Sequence, residues 1–143
     1  MGVDELVGLL FRWLHIGSAI FLLGGALYFR LAVAPAAAGL PAEQAGQLYD
    51  AMATRIRAWV WTACIALVVA GFYNFFVKAS HVPRGYHMWF GIKFLLALHL
   101  ISISLLAARA GVEPAKRQRW MSGAMITGLC IVAISGYLRW LAG

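Results

Sequence analysis

Four stretches of almost uninterrupted apolar residues divide the chain, at about 6–31, 58–77, 88–108 and 120–141. Each holds about 20 residues or more, the length an α-helix needs to cross the hydrocarbon of a bilayer. The first is too long for the apolar core of a signal peptide and has no small-residue cleavage site ahead of a soluble domain, so it is expected to stay in the membrane. Between the first and second lies the one long connection, where Pro35, Gly39, Leu40 and Pro41 are expected to break the helix. Beyond Pro41 the pattern changes: Leu48, Met52 and Ile56 recur every four residues among polar ones, which predicts an interfacial amphipathic helix over about 41–57. The other connections, 78–87 and 109–119, are short, and no internal repeat is visible. The expected fold is all-α: a single transmembrane domain over 1–143, built as an integral membrane four-helix bundle.

Composition agrees with that pattern. The chain is 63% hydrophobic and 12% charged, whereas soluble domains carry about 45–50% apolar and about 25% charged residues. Lys and Arg outnumber Asp and Glu by 12 to 5, but they cluster beside apolar runs, where cations meet lipid headgroups and set topology, so no nucleic-acid partner is expected. Arg30, Arg55, Arg57, Arg109, Lys116, Arg117 and Arg119 belong to the first and third connections, against Lys78, Arg84 and Arg139 on the opposite side. The first and third connections should therefore be cytoplasmic and both termini non-cytoplasmic, as for a multi-pass protein of the bacterial inner (cytoplasmic) membrane. Trp13, Trp59, Trp61, Trp89, Trp120 and Trp140 fall near predicted span ends, as interfacial anchors do. Cys64 and Cys130 lie inside apolar runs with no metal-type spacing and read as inert thiols.

An ionisable residue inside a span is costly unless paired, liganded or near the interface, so those present point to function. They are Arg12, His15, Lys93 and His99. His15 lies about ten residues past Glu5 and His99 about ten before Arg109, so each is roughly 15 Å from one end of its helix. Deep histidines on different helices of a bundle are an arrangement that holds a metal or haem, and burial keeps imidazole neutral and ligand-competent. The plainer alternative is that each histidine hydrogen-bonds a carbonyl or a serine of a neighbouring helix, with Ser18, Ser102 and Ser104 available. Arg12, one turn before His15 on the same face, is placed to meet a haem propionate, and otherwise snorkels to the interface. Counted from the cytoplasmic anchors, His15 is level with Lys93, and His99 sits about 7 Å deeper. A His15/His99 pair and a His15/Lys93 pair are therefore rival ligand sets. His81 and His87 read as interfacial, and Met121 and Met125, four apart, as core residues or as thioether ligands for Cu(I).

The segments RWLHIGSAIFLLGGALYFRL and WFGIKFLLALH resemble the bacterial HemJ-type proteins, four-helix membrane proteins associated with protoporphyrinogen oxidation. The likeness lies in an aromatic residue before Leu14-His15-Ile16, in Gly25, Tyr28 and Arg30 at the helix end, and in Lys93 early in the third helix. It implies haem b, with His15 and Lys93 as important residues, and electron transfer or oxidoreduction of protoporphyrinogen oxidase type with a quinone or porphyrinogen. A more distant likeness, carried by the hydropathy plan and by Arg55 and Arg57 at the start of the second helix, is to CopD-like copper-resistance membrane domains; it implies copper as the alternative cofactor. The short loops and large lipid-facing surface also suit a homodimer or a structural accessory subunit of a larger membrane complex.

Overall fold

A computed structural model describes residues 2–78 and 85–141, and its regular elements are all helical. They are α1 (Val3–Tyr28), a π-helical turn (Phe29–Val33), α2 (Ala34–Ala37), α3 (Ala42–Lys78), α4 (Tyr86–Ala107) and α5 (Pro114–Leu141). Four stretches are long and apolar enough to cross a membrane: Val3–Ala37, Ala42–Val77, Tyr86–Ala107 and Pro114–Leu141. The protein is thus built for a multi-pass place in a lipid bilayer. At 1.5 Å per residue α4 is about 33 Å long, matched to the roughly 30 Å of hydrocarbon, while the stretches containing α1 and α3 overshoot it by about 20 Å. Their excess lies at the arginine-rich end, where the first turns of α3 pack against α2 and the start of α5.

Local chemistry explains the element ends, and in three places corrects the expectation. Gly2 N–H donates to Glu5 Oε2 at 3.2 Å, and Asp4 and Glu5 sit in the positive first turn of α1. Pro35 does not break the helix. Proline has no N–H, and a π turn immediately before it shifts the ladder by one residue, so the helix runs on to Ala37. The break falls at Gly39, Leu40 and Pro41, after which Glu43 occupies the first turn of α3. Residues 42–57 are helical as expected but form no separate element. No proline interrupts the chain from Ala42 to Lys78, so the amphipathic stretch and the second span make one 37-residue helix. Helix α5 starts at Pro114 rather than near Trp120: Gly111 takes φ +74° in the turn, proline is at home in a first helical turn, and residues 115–119 are good helix formers.

Helices α1 and α3 pack as one antiparallel pair and α4 and α5 as another, joined mainly through α1 against α5. Three apolar clusters fill the middle and the arginine-rich end. One joins Leu22, Val60, Ala63, Cys64, Leu67 and Ala108; one joins Ala26, Leu100, Ile103 and Ala124; one joins Phe29, Ala34, Ala37, Ala45 and Tyr49. Alanine dominates these layers because small residues let membrane helices approach closely. Toward the other end the filling is aromatic, with Phe11 on Tyr73 (ring centroids 4.1 Å apart) and Phe75 on Phe90 (4.5 Å).

Candidate functional site

The histidine of α1 is held against α3. His15 Nδ1 lies 3.4 Å from the carbonyl oxygen of Leu67, an atom that can only accept, so the contact selects the tautomer with hydrogen on Nδ1. That tautomer puts the ring lone pair on Nε2, the nitrogen that a metal ion would engage, and backbone carbonyls orient metal-binding imidazoles in this way. Gly71, one turn along α3, forms the floor beside the ring: a Cβ there would stand 3.5 Å from His15 Cε1 and 3.6 Å from Nδ1. His15 is half-buried, on the same side of α1 as the buried Ser18, Leu22 and Ala26.

Lys93 and His99 occupy different sides of α4. Lys93 is half-buried and precedes buried Leu100 by seven residues, two helical turns, so it belongs to the face that also carries Ile103 and Ala107. His99 is exposed, and its Nδ1 hydrogen-bonds Thr127 Oγ1 of α5 at 3.0 Å. This is the interhelical bond of the plainer sequence alternative, with threonine in place of serine; Ser102 instead donates to Leu98 O of its own helix.

Side-chain contacts also set the helix registers. Through α3, where Phe11 stacks on Tyr73 and Phe72 meets Phe94, Lys93 comes level with Phe11 or Arg12. Through α5, where Leu23 faces Gly128 and Trp89 meets Tyr137, it comes level with Ser18. His15 lies between these limits. By the same two routes His99 falls level with Gly17 to Gly24, about 3–13 Å along the axis from His15 and toward the arginine-rich end.

No family model, curated protein or solved structure matches the chain. The chemistry is therefore read from the residues themselves.

Arg12 is exposed one turn before His15, on the side of both termini. Beside that turn, on the lipid-facing side of the α1–α3 seam, runs an open apolar groove of about 460 Å³ lined by Leu10, Trp13, Leu14, Gly17, Trp59 and Ala63 among others. His87 is exposed at the start of α4, and His81 and Arg84 lie outside the described residues. Met121 and Met125 pack on the Ala26–Leu100–Ile103–Ala124 cluster, and Cys64 is buried while Cys130 is exposed. Among the described residues no three or more of His, Cys, Asp and Glu gather as a metal cluster.

A second constellation, unanticipated from the sequence, closes the arginine-rich end. Arg117, one of the cations that mark the topology in the sequence, is only 2% exposed. Its Nε donates to Ala107 O (3.1 Å), and its Nη2 donates to Arg109 O (2.7 Å) and to Asp50 Oδ1 (3.0 Å). Arg57 Nε donates to Ala108 O (3.1 Å), and Gly111 N–H donates to the same Asp50 Oδ1 (3.2 Å). Two arginines thus cap the last carbonyls of α4, the negative end of its dipole, while one carboxylate ties the α4–α5 turn to α3. The available signal was Asp50 itself, an acid inside a helix that faces a strongly cationic loop.

Proposed function

We propose that the protein is a membrane haem b protein that carries electrons, HemJ-like in its ligand pattern, in which His15 and Lys93 would hold the haem iron. The observation that carries this reading is the pinned imidazole: Leu67 O holds Nδ1, and Gly71 leaves the ring its place. Lys93 is favoured over His99 as its counterpart because it lies on the inward face of α4 in the layer that brackets His15, whereas His99 lies on the exposed face. The donor set fits iron porphyrin: imidazole is a usual haem ligand, and the side-chain nitrogen of Lys93 would be the second donor. When bound, the haem would supply one-electron redox chemistry at its iron.

The chain's own residues would do the rest. His15 and Lys93 hold the group, and Arg12, one turn toward the termini, binds a haem carboxylate. The apolar walls of α1 and α3 keep water away and so tune the potential. The groove at Trp13, Leu14 and Gly17 gives a bilayer-dissolved quinone or porphyrinogen a route to the turn that carries His15. On the cation count, the arginine-rich end faces the cytoplasm of a bacterial inner membrane and both termini lie on the far side.

Ligand variants test the assignment. His15→Ala should lose haem, read as pyridine haemochrome per chain, and Lys93→Met should keep haem but turn a low-spin spectrum high-spin. His99→Leu should leave the spectrum unchanged. A normal low-spin spectrum in His15→Ala would refute the assignment, and a spin change confined to His99→Leu would replace Lys93 with His99.

A further inference from the structure

The outer face of α4 carries a row of exposed residues, Met88, Ile92, Leu95, His99 and Ser102. Their spacing alternates four and three residues, the repeat of a helix seam that packs against another helix at a shallow left-handed angle. His99 interrupts this apolar row near mid-helix, thirteen residues after Tyr86 and eight before Ala107, so it lies roughly 12 Å or more from either end. Its Nδ1 is satisfied by Thr127 Oγ1 at 3.0 Å, and the remaining ring nitrogen belongs to an exposed side chain at hydrocarbon depth. A polar atom there needs a partner that lipid tails do not provide.

We propose that this face is the contact between two copies of the chain, with the two His99 rings hydrogen-bonded to each other across a two-fold axis parallel to the bundle. The bond to Thr127 explains why a second copy suits this position. A hydroxyl donates or accepts, so Thr127 supports either tautomer: when it donates to Nδ1 the ring carries hydrogen on Nε2, and when it accepts from Nδ1–H the ring presents a lone pair on Nε2. Two identical chains can therefore adopt opposite tautomers and form one Nε2–H···Nε2 bond. Chains inserted in the same direction and related by such an axis bring equal depths together, so His99 meets His99 of the second copy without any offset. Small Gly91 beside the row and Ser102 within it let the backbones approach. This interface is independent of the haem assignment, because it uses neither His15 nor Lys93.

Cysteine cross-linking in native membranes tests the seam, using full-length chains in which Cys64 and Cys130 are replaced by alanine. Leu95→Cys should give a disulfide dimer on mild oxidation, and Ile20→Cys, exposed on α1, should not. Fluorescence transfer between labelled copies in micelles then measures association. His99→Leu should weaken it about threefold to twentyfold, the range of single interhelical hydrogen bonds in membranes, while His99→Asn, which still donates and accepts, should retain most of it. A monomeric wild type, cross-linking at Ile20→Cys in place of Leu95→Cys, Leu95→Cys capturing only a different protein, or His99→Leu associating like the wild type would each overturn the proposal.

Discussion

Replacing Asp50 with alanine removes one carboxylate oxygen that serves two donors, Arg117 Nη2 at 3.0 Å and Gly111 N–H at 3.2 Å. The hydrogen bond from the Gly111 N–H contributes about 1 kcal/mol. For the ion pair, the Arg117 side chain is 3% exposed and the Asp50 side chain 42%, so its worth lies between the ~0.5 kcal/mol of an open surface pair and the 3–5 kcal/mol lost on breaking a buried one, at about 1.5–2 kcal/mol. Asp50→Ala should therefore cost about 2–3 kcal/mol. Asp50→Asn keeps an acceptor at Oδ1 for both donors and should cost only about 1 kcal/mol, the charge assistance alone. The guanidinium of Arg117 cannot simply relax into water, since it also holds Ala107 O and Arg109 O, and its Nη1 has no hydrogen-bond partner among the described residues. Reversible unfolding in mixed micelles with rising dodecyl sulfate, followed by far-ultraviolet circular dichroism, gives these differences directly. A double-mutant cycle with Arg117→Met should return a coupling of about 1.5–2 kcal/mol. The reasoning fails if Asp50→Ala unfolds within about 0.5 kcal/mol of the wild type, or if Asp50→Asn is as damaging as Asp50→Ala.

Other substitutions probe the packing around the two helix pairs. A Cβ at Gly128 would come 2.6 Å from Leu23 Cδ1 and 3.4 Å from Leu23 Cγ, so Gly128→Ala should force a new leucine rotamer at about 1 kcal/mol and Gly128→Val should cost about 2–3 kcal/mol, both measurable by the same unfolding titration. At Gly71 a Cβ makes ordinary contact with His15; Gly71→Ala should therefore keep haem content and spin state, whereas Gly71→Leu should displace the imidazole and lower haem per chain severalfold in the pyridine haemochrome assay.

Much of this architecture is legible in the sequence, because a bilayer leaves few options: apolar stretches of about 20 residues become helices, and short loops make sequential neighbours antiparallel. The clamp at the arginine-rich end was not legible. Arg57 and Arg117 look like any other loop-flanking cations, and only the fold shows that both reach the end of α4 while Asp50, from far along the chain, meets the same turn. Pro35 misleads for a similar reason. Its missing N–H is a local fact, but whether the chain turns or absorbs the defect in a π turn depends on the packing of Phe29, Ala34 and Ala37 against Ala45 and Tyr49. At the candidate site, the ionisable residues were visible as chemical outliers. Their division was not: sequence depth alone leaves Lys93 and His99 as rivals, and it takes the face of α4 on which each lies to turn one inward and the other toward a neighbour.

The central claim is that His15 and Lys93 hold an iron porphyrin inside the bundle, and the absorption spectrum of the purified protein, recorded oxidised and then reduced with dithionite, tests it most directly. A Soret band with sharp low-spin α and β bands on reduction, and haem b in the pyridine haemochrome assay, is the expected result; purified, folded protein with no Soret band and no extractable haem would contradict it.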